Sequence, residues 1–371
     1  MDPPIFRRIV VKLGTSTLTA STTHLSQARM VDLVRQIAHL HAQGCQVVVV
    51  SSGAMAAGRE RLSFPQLPKA IPAKQMLAAV GQPRLMALYE KLFDIYGLYV
   101  AQVLLTRSDL SNRRRYLNSR NTLSALLSQG VVPIVNENDT VTSEEIRVGD
   151  NDNLSALVAN LIEADLLVLL TDQAGLYLAD PRLDPTAELV HEVTSPAIPQ
   201  EIWQAASGSV DSLGVGGMHT KLQAADLARR SGATVAIASG SAPDVILRLA
   251  AGEALGTRFT PLASALEGRK RYILASRDVQ GSMVIDDGAA QALRQGGSLL
   301  AVGVLSASGD FERGDALRLE TSAGEEIGRG LVNYPAADLE RIRGRHSEDI
   351  EAILGYAYGD EVIHRDNLVL L

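Results

Sequence analysis

Arg8-Ile9-Val10-Val11-Lys12-Leu13-Gly14-Thr15-Ser16 decides the fold of this chain. A β-branched run that meets a lysine and a glycine turn reads as a strand buried on both faces and stopped at Gly14-Thr15-Ser16. The same texture recurs outward from it. Ser26 is placed to cap a helix whose Met30, Leu33, Val34, Ile37 and Leu40 keep helical spacing, and Gly44 closes that helix. Residues 46–50 form a second apolar strand running into Ser51-Ser52-Gly53. Pro65, Pro68 and Pro72 mark a loop before a helix through Leu77, Leu85 and Leu88. Strands follow at 99–105, 131–135, 166–170 and 234–238, with helices at 114–128, around 154–161 and at 221–230. Continuous apolar strands alternating with helices predict an α/β fold whose mainly parallel sheet is covered on both faces.

Over 371 residues, hydrophobic side chains make up 46% and charged ones 21%, the balance of soluble globular domains. The single cysteine, Cys45, excludes an intrachain disulfide framework and a cysteine-based zinc site. Apolar runs are strand-length and far short of a bilayer span, and Met1-Asp2-Pro3-Pro4 lacks a signal-peptide pattern. A cytoplasmic protein without a membrane partner is the expectation. The net charge of −7 speaks against a general polyanion binder. That charge is uneven: residues 279–371 hold 8 Arg, no Lys and 16 acidic residues, a net −8, which leaves +1 for residues 1–278. Short β-like segments at 282–285, 316–319 and 327–331 alternate there with glycine turns, predicting a small β-rich domain. The expected boundaries are a catalytic domain over 1–260, a linker over 261–278 containing Arg269-Lys270-Arg271, a β-rich domain over 279–357 and a C-terminal tail over 358–371.

Parallel sheets bind ligands beyond the carboxyl ends of their strands. Polar and glycine residues collect at five such ends: 12–16, 51–53, 136–139, 171–172 and 239–240. Lysine is scarce, with six against 29 arginines. Lys12, at a strand end beside Gly14, can neutralise a transferring phosphoryl group, although a lysine snorkelling from the sheet explains it as well when taken alone. Val215-Gly216-Gly217-Met218-His219-Thr220-Lys221 leads into a helix, where glycine amides and the helix N-terminus suit a phosphate. A flexible turn with a surface lysine is the plainer alternative. The stretch is no Walker A loop, since Thr220 precedes Lys221 and Leu222 follows it. Two such lysines at one sheet edge raise phosphoryl transfer above either reading alone.

Gly149-Asp150-Asn151-Asp152-Asn153-Leu154 by itself reads best as a helix cap. It also resembles the start of an EF-hand loop, but Ala156 and Leu161 stand where that pattern needs its glycine and glutamate. With Asn136-Glu137-Asn138-Asp139 it can hold a small zwitterion, carboxylates facing an ammonium and amides facing a carboxylate. No acid–base dyad stands out, and His219 in its loop reads as incidental. The missing base fits a carboxylate acceptor, which with a pKa of about 4 is already ionised at neutral pH.

Val10-Val11-Lys12-Leu13-Gly14-Thr15-Ser16, Ser51-Ser52-Gly53-Ala54, Asn136-Glu137-Asn138-Asp139, Val148-Gly149-Asp150-Asn151-Asp152-Asn153-Leu154-Ser155, Leu170-Thr171-Asp172 and Gly216-Gly217-Met218-His219-Thr220-Lys221 together resemble the glutamate 5-kinases of the amino-acid kinase family. Gly344-Arg345-His346-Ser347 and Ile353-Leu354-Gly355-Tyr356 resemble the PUA domain that many bacterial members carry. The resemblance implies an αβα sandwich plus a PUA domain, and ATP-dependent phosphorylation of the L-glutamate γ-carboxylate, the first step of proline biosynthesis. It implies Lys12, Lys221 and Asp152 as the catalytic set. Ser52, Asp139, Asn151 and Asp150 would bind glutamate. Lys12, Thr171, Asp172, Val215, Gly216, Gly217, Met218, His219, Thr220 and Lys221 would hold ATP with Mg²⁺ on its phosphates, and no metal-ligating side chain is expected. Val215 departs from members that carry threonine there, which removes one hydroxyl. The resemblance further implies a homo-oligomer, proline as feedback inhibitor and glutamyl-phosphate reductase as downstream partner.

Two competing readings remain. One is a kinase of the same fold acting on another carboxylate or on carbamate. The other is RNA binding through the PUA domain, which its acidic, lysine-free composition opposes outside Arg341, Arg343 and Arg345.

Overall fold

The computed structural model describes residues 3–68, 70–142, 151–207, 217–262 and 279–371. The chain divides into two compact units, Met1–Leu110 with Ser119–Ala265, and Ser111–Asn118 with Leu266–Leu371. In the first unit the strands are β1 (Arg8–Leu13), β2 (Gln46–Ser51), β3 (Val100–Leu105), β4 (Val132–Glu137), β5 (Leu166–Thr171), β6 (Leu176–Tyr177), β7 (Leu189–Val190), β8 (Glu192–Val193), β9 (Thr234–Ser239) and β10 (Thr257–Phe259). All but the β6–β7 ribbon join one eight-stranded sheet in the order β3-β4-β2-β1-β5-β9-β10-β8. Its ladders are parallel except for the antiparallel pairing of β10 with β9.

The apolar run that opened the sequence is the centre of this sheet. β1 lies between β2 and β5, with Lys12 opposite Val50 and Leu169, and Leu13 opposite Ser51 and Leu170. Ile9, Val10 and Val11, with 47–50 and 166–170, are buried on both faces, which is why these strands show no alternation. Ser26 caps the helix Gln27–Ala42 by accepting from the Arg29 N–H at 3.3 Å. Its Met30, Leu33, Val34, Ile37 and Leu40 enter the core as their spacing predicts.

Three local expectations change. Pro72 is not in a loop but in the first turn of the helix Ile71–Asp94, where its missing N–H has no intrahelical partner to lose. A short helix, Thr15–Thr19, follows Gly14 directly. β4 runs two residues further than periodicity indicated, because Asn136 and Glu137 pair in register with Leu104 and Leu105 of β3.

The second unit has a five-stranded sheet in the order β13-β11-β14-β15-β17, built from β11 (Gly281–Ile285), β13 (Val304–Gly309), β14 (Ala316–Thr321), β15 (Glu326–Leu331) and β17 (Leu368–Leu370). β12 (Leu299–Leu300) pairs separately with β16 (Glu361–Ile363). Residues 358–371 are therefore no tail. β17 completes the sheet against β15, and Val362, Ile363 and Val369 are buried, so the last strands are part of this domain's core. Residues 111–118, expected within the first domain, belong to this unit, where buried Leu117 packs with Ala316, Leu331 and Val369. Most of the expected linker, 263–278, lies outside the described residues. Among the described residues no helix is long and apolar enough to cross a membrane.

After β2, the helices Ala54–Arg61 and Ile71–Asp94 meet backbone to backbone. A Cβ on Gly81 would stand 1.8 Å from the Ala54 carbonyl oxygen, and one on Gly58 would stand 2.0 Å from that of Leu77. Only glycine permits this approach. Gly81→Ala must push the two helices apart and is expected to lower stability by roughly 1–3 kcal/mol, the usual range for overpacking, read from the urea unfolding midpoint at unchanged m-value.

Candidate active site

The carboxyl ends of β1, β2, β4 and β5 and the starts of two helices collect the polar residues of the first unit. Lys12 points out of β1 between the core residues Val11 and Leu13, and its ammonium lies 2.6 Å from Asp152 Oδ1. Asp152 sits in the first turn of the helix Asn151–Leu161. Lys221, in the first turn of the helix Met218–Arg230, approaches Asp152 Oδ2 at 3.4 Å, and the Thr220 hydroxyl donates to the same oxygen at 2.7 Å. Lys12, Asp152 and Lys221 are exposed by only 5%, 1% and 4%. Burial by itself would raise the Asp152 pKa, but the two ammonium groups and the Thr220 hydroxyl outweigh it and hold the carboxyl well below the usual carboxylate range. Among the described residues, two cations thus meet on this one anion out of water. That arrangement is expensive to desolvate unless a further anion joins it. Gly14 leaves room for one, since a Cβ there would stand 3.4 Å from the Lys12 ammonium.

The helix Met218–Arg230 begins at Gly217, and no side chain caps it. Its first-turn amides are therefore left for an anion. His219 lies against Trp203 with ring centroids 5.4 Å apart, and its Nε2 is 3.2 Å from Gln223 Nε2. At the end of β5 the Thr171 hydroxyl donates to Asp172 at 3.0 Å, and the Gly240 N–H donates to the Thr171 carbonyl at 2.8 Å.

A second set of groups lies at the ends of β2 and β4. The Ser52 N–H donates to the Leu13 carbonyl at 2.9 Å, tying the loop after β2 to the end of β1. Asn151 Nδ2 donates to Ser52 Oγ at 2.9 Å and to Asn136 Oδ1 at 3.0 Å. Asn151 and Asp152 open the helix, and their side chains reach neighbouring strand ends, while Asp150, at the cap position, lies outside the described residues. Asn151 Oδ1 and Asp139 Oδ1 are buried and have no hydrogen-bond partner among the described residues. Burial and the nearby Glu137 carboxylate push the Asp139 pKa up to about 6.

Of the residues singled out from sequence, Lys12, Asp152, Thr220 and Lys221 meet in one cluster, and Ser52 bonds directly to Asn151. Thr171 and Asp172 stand together at the end of β5, the strand next to β1. Asp150, Val215 and Gly216 lie outside the described residues. Sequence reading missed Asn136 as a partner of Asn151, and it missed Gln82, whose Oε1 accepts from Asn136 Nδ2 at 2.8 Å. It also missed the buried pair of Ser51 and Tyr89, whose hydroxyls are 2.8 Å apart. Gln82 did leave a trace: it is the polar member of the stripe Ala78, Gln82, Leu85 and Tyr89 on one helix face.

The pattern shared by the amino acid kinase family matches residues 7–239, and that of the PUA domain matches residues 281–354. A protein named glutamate 5-kinase from Vibrio campbellii is 56% identical over 364 residues, covering 98% of this chain and 96% of its own length. Proteins of that name from Photobacterium profundum and Deinococcus radiodurans are 55% and 54% identical, covering 99% and 98% of this chain and 97% and 100% of their own. A solved UMP kinase from Bacillus anthracis, at 15% identity and a TM-score of 0.47 over 70% of this chain and 97% of its own, is too distant to argue from.

Removing the shared anion tests the charge cluster. Asp152→Ala leaves two buried ammonium groups facing each other and is expected to lower stability by about 3–5 kcal/mol. Urea denaturation of wild type and variant at pH 7 measures it, and a loss below about 1 kcal/mol would contradict the arrangement.

Proposed function

The chain belongs to the amino acid kinase family, among its glutamate 5-kinases, and on that premise we propose that it transfers the γ-phosphoryl group of ATP to the side-chain carboxylate of L-glutamate, the first step of proline biosynthesis. The convergence of Lys12 and Lys221 on buried Asp152 carries this reading. Transfer between a carboxylate and a nucleotide brings two anions together, and negative charge spreads over the oxygens of the moving group. Cations already fixed in place stabilise that charge without reorganising. Asp152 fixes them and keeps its own charge while doing so.

In this reading a γ-carboxylate oxygen of glutamate attacks the γ-phosphorus of ATP. The bond to the β–γ bridging oxygen breaks, ADP departs with the electron pair, and glutamyl 5-phosphate forms. No proton moves, in keeping with a site assembled from cations and amides. The uncapped start of the helix Met218–Arg230, with Gly217, Met218, His219 and Thr220, faces the nucleotide phosphates in this assignment, and Thr171 and Asp172 complete the nucleotide end. Val215 and Gly216 join them by resemblance. Ser52, Asn151 and Asp139, with Asp150 by resemblance, take glutamate, and the unpartnered Asp139 and Asn151 oxygens receive its ammonium group.

Mg²⁺ fits as an ion carried by the nucleotide. The buried Asp152 carboxylate is already committed to Lys12, Lys221 and Thr220, and among the described residues no three His, Cys, Asp or Glu side chains cluster as a metal cage. Bound there, the ion would neutralise phosphate charge. Proline as feedback inhibitor, a homo-oligomer, a cytoplasmic location and consumption of the acyl phosphate by glutamyl-phosphate reductase are parts of the same proposal.

Purified protein given ATP, L-glutamate and hydroxylamine should yield γ-glutamyl hydroxamate, the trapped acyl phosphate. No hydroxamate, or a faster reaction with another carboxylate or with carbamate, would overturn the substrate assignment. Lys221→Ala is expected to lower kcat roughly 10²–10³-fold, the usual cost of losing one group that stabilises developing charge, with little change in the KM for glutamate. Asp139 supplies a pH test. Because its pKa in the free protein is about 6, protonation below that pH removes the anion that meets the ammonium. The KM for glutamate should therefore climb as pH falls below 6, approaching about tenfold per unit, while Asp139→Asn shows a raised and flat KM.

A further inference from the structure

In-line transfer fixes which way the nucleotide must lie. The attacking and leaving oxygens stand on opposite sides of the moving phosphorus. With glutamate at the ends of β2 and β4, ADP therefore departs toward β5, on the other side of β1. The helix Gln200–Ser207 stands on that side, packed against β6, the next strand after β5, and against the helix Met218–Arg230. Ile202 and Ala206, one turn apart, are buried and anchor it. Trp203 is only half-buried, and its ring meets that of His219 with centroids 5.4 Å apart and planes at 60°.

The start of the helix Met218–Arg230 thus shows different chemistry on two sides. Lys221 sends its ammonium to Asp152 Oδ2 at 3.4 Å. His219, two positions earlier and so on another face of the helix, turns its side chain to Trp203 and to Gln223, whose Nε2 lies 3.2 Å from His219 Nε2. The cations and amides that suit phosphates therefore lie on one side of this helix start, and an indole still partly open to water lies on the other.

We propose that the base of ATP stacks on Trp203, with His219 as the side chain that holds the indole in place. This rests on the phosphoryl-transfer reading of the site. Lys12, Lys221, Thr171, Asp172 and the first-turn amides are polar groups suited to phosphate and sugar, and none of them offers a base an apolar face. The Trp203 ring does, and a base set against it leaves water on one side. Every base has such a face, so the contact contributes affinity without choosing among bases. In this assignment the His219 backbone N–H serves the phosphates and its imidazole serves the indole.

Trp203 is the only tryptophan in the chain, so its emission reads this site without background. ADP titrated into the wild-type protein should change that emission saturably, with a midpoint within about threefold of the inhibition constant of ADP against ATP in the hydroxamate assay. Trp203→Leu removes the stacking face and should raise the KM for ATP about fivefold or more. Its kcat at saturating ATP and its KM for glutamate should stay within about threefold of wild type, because the phosphoryl and glutamate ends are untouched. A tryptophan that merely props the helix start would instead displace Lys221 when removed and lower kcat. Trp203→Phe keeps a ring and should raise the KM for ATP less than Trp203→Leu does.

An emission unmoved by ADP overturns the stacking role, and it decides the matter even where Trp203→Leu does not fold. An unaltered KM for ATP in Trp203→Leu overturns it too, as does a larger fall in kcat or an equal rise in Trp203→Phe. Wild-type protein that makes no hydroxamate and does not respond to ADP counts against both this inference and the functional reading. Hydroxamate formation with an emission that ADP leaves unchanged counts against this inference alone.

Discussion

Everything at the active end of the first unit is arranged around one buried carboxylate. Asp152 sits between two lysines that come from distant parts of the chain, one at the end of the central strand and one at the start of a helix over two hundred residues later. Buried like charges repel strongly and are costly to remove from water, so neither lysine could rest where it does without the anion between them. Both cations are set in place by the protein beforehand, which is the electrostatic condition that moving a phosphoryl group between anions requires.

The sheet supplies the precision. Parallel ladders with continuous register set the ends of β1, β2 and β5 level, so Lys12, Ser51 and Thr171 stand at one edge and not scattered along it. Backbone hydrogen bonds then extend that order beyond the strands, from the Ser52 N–H to Leu13 and from the Gly240 N–H to Thr171. Close packing supports it from behind. The helices Ala54–Arg61 and Ile71–Asp94 touch at Gly58 and Gly81, and the second of them delivers Gln82 and Tyr89 to the rear of the site.

Polar groups behind the site are joined in series, from Gln102 to Asn151. A core that contains side-chain amides must satisfy them or lose stability. Here the satisfied amides also carry direction, because the backbone groups at Glu137 and Ser51 admit one orientation only.

The sequence by itself determined the α/β character of the first unit, the strands and helices that frame the site, and the strand ends and helix starts near which Lys12, Ser52, Asp139, Asn151, Asp152 and Lys221 lie. These are local facts: a double-sided apolar strand, a helical stripe and a glycine turn each leave a mark within a dozen residues. It also marked a β-rich second domain by charge and turn texture, yet took its last two strands for a tail. β16 and β17 have three residues each, and their strand character comes from the partners β12 and β15. Only the tertiary structure decided that the Asn151 and Asp152 side chains reach distant strands, that Asp152 lies between two lysines, and that Gln82 bonds to Asn136. Pairings across 69 positions, as between Asp152 and Lys221, or 54, as between Gln82 and Asn136, have no local period to read. They exist because register and helix packing bring those side chains together where water is excluded and each must find its partner.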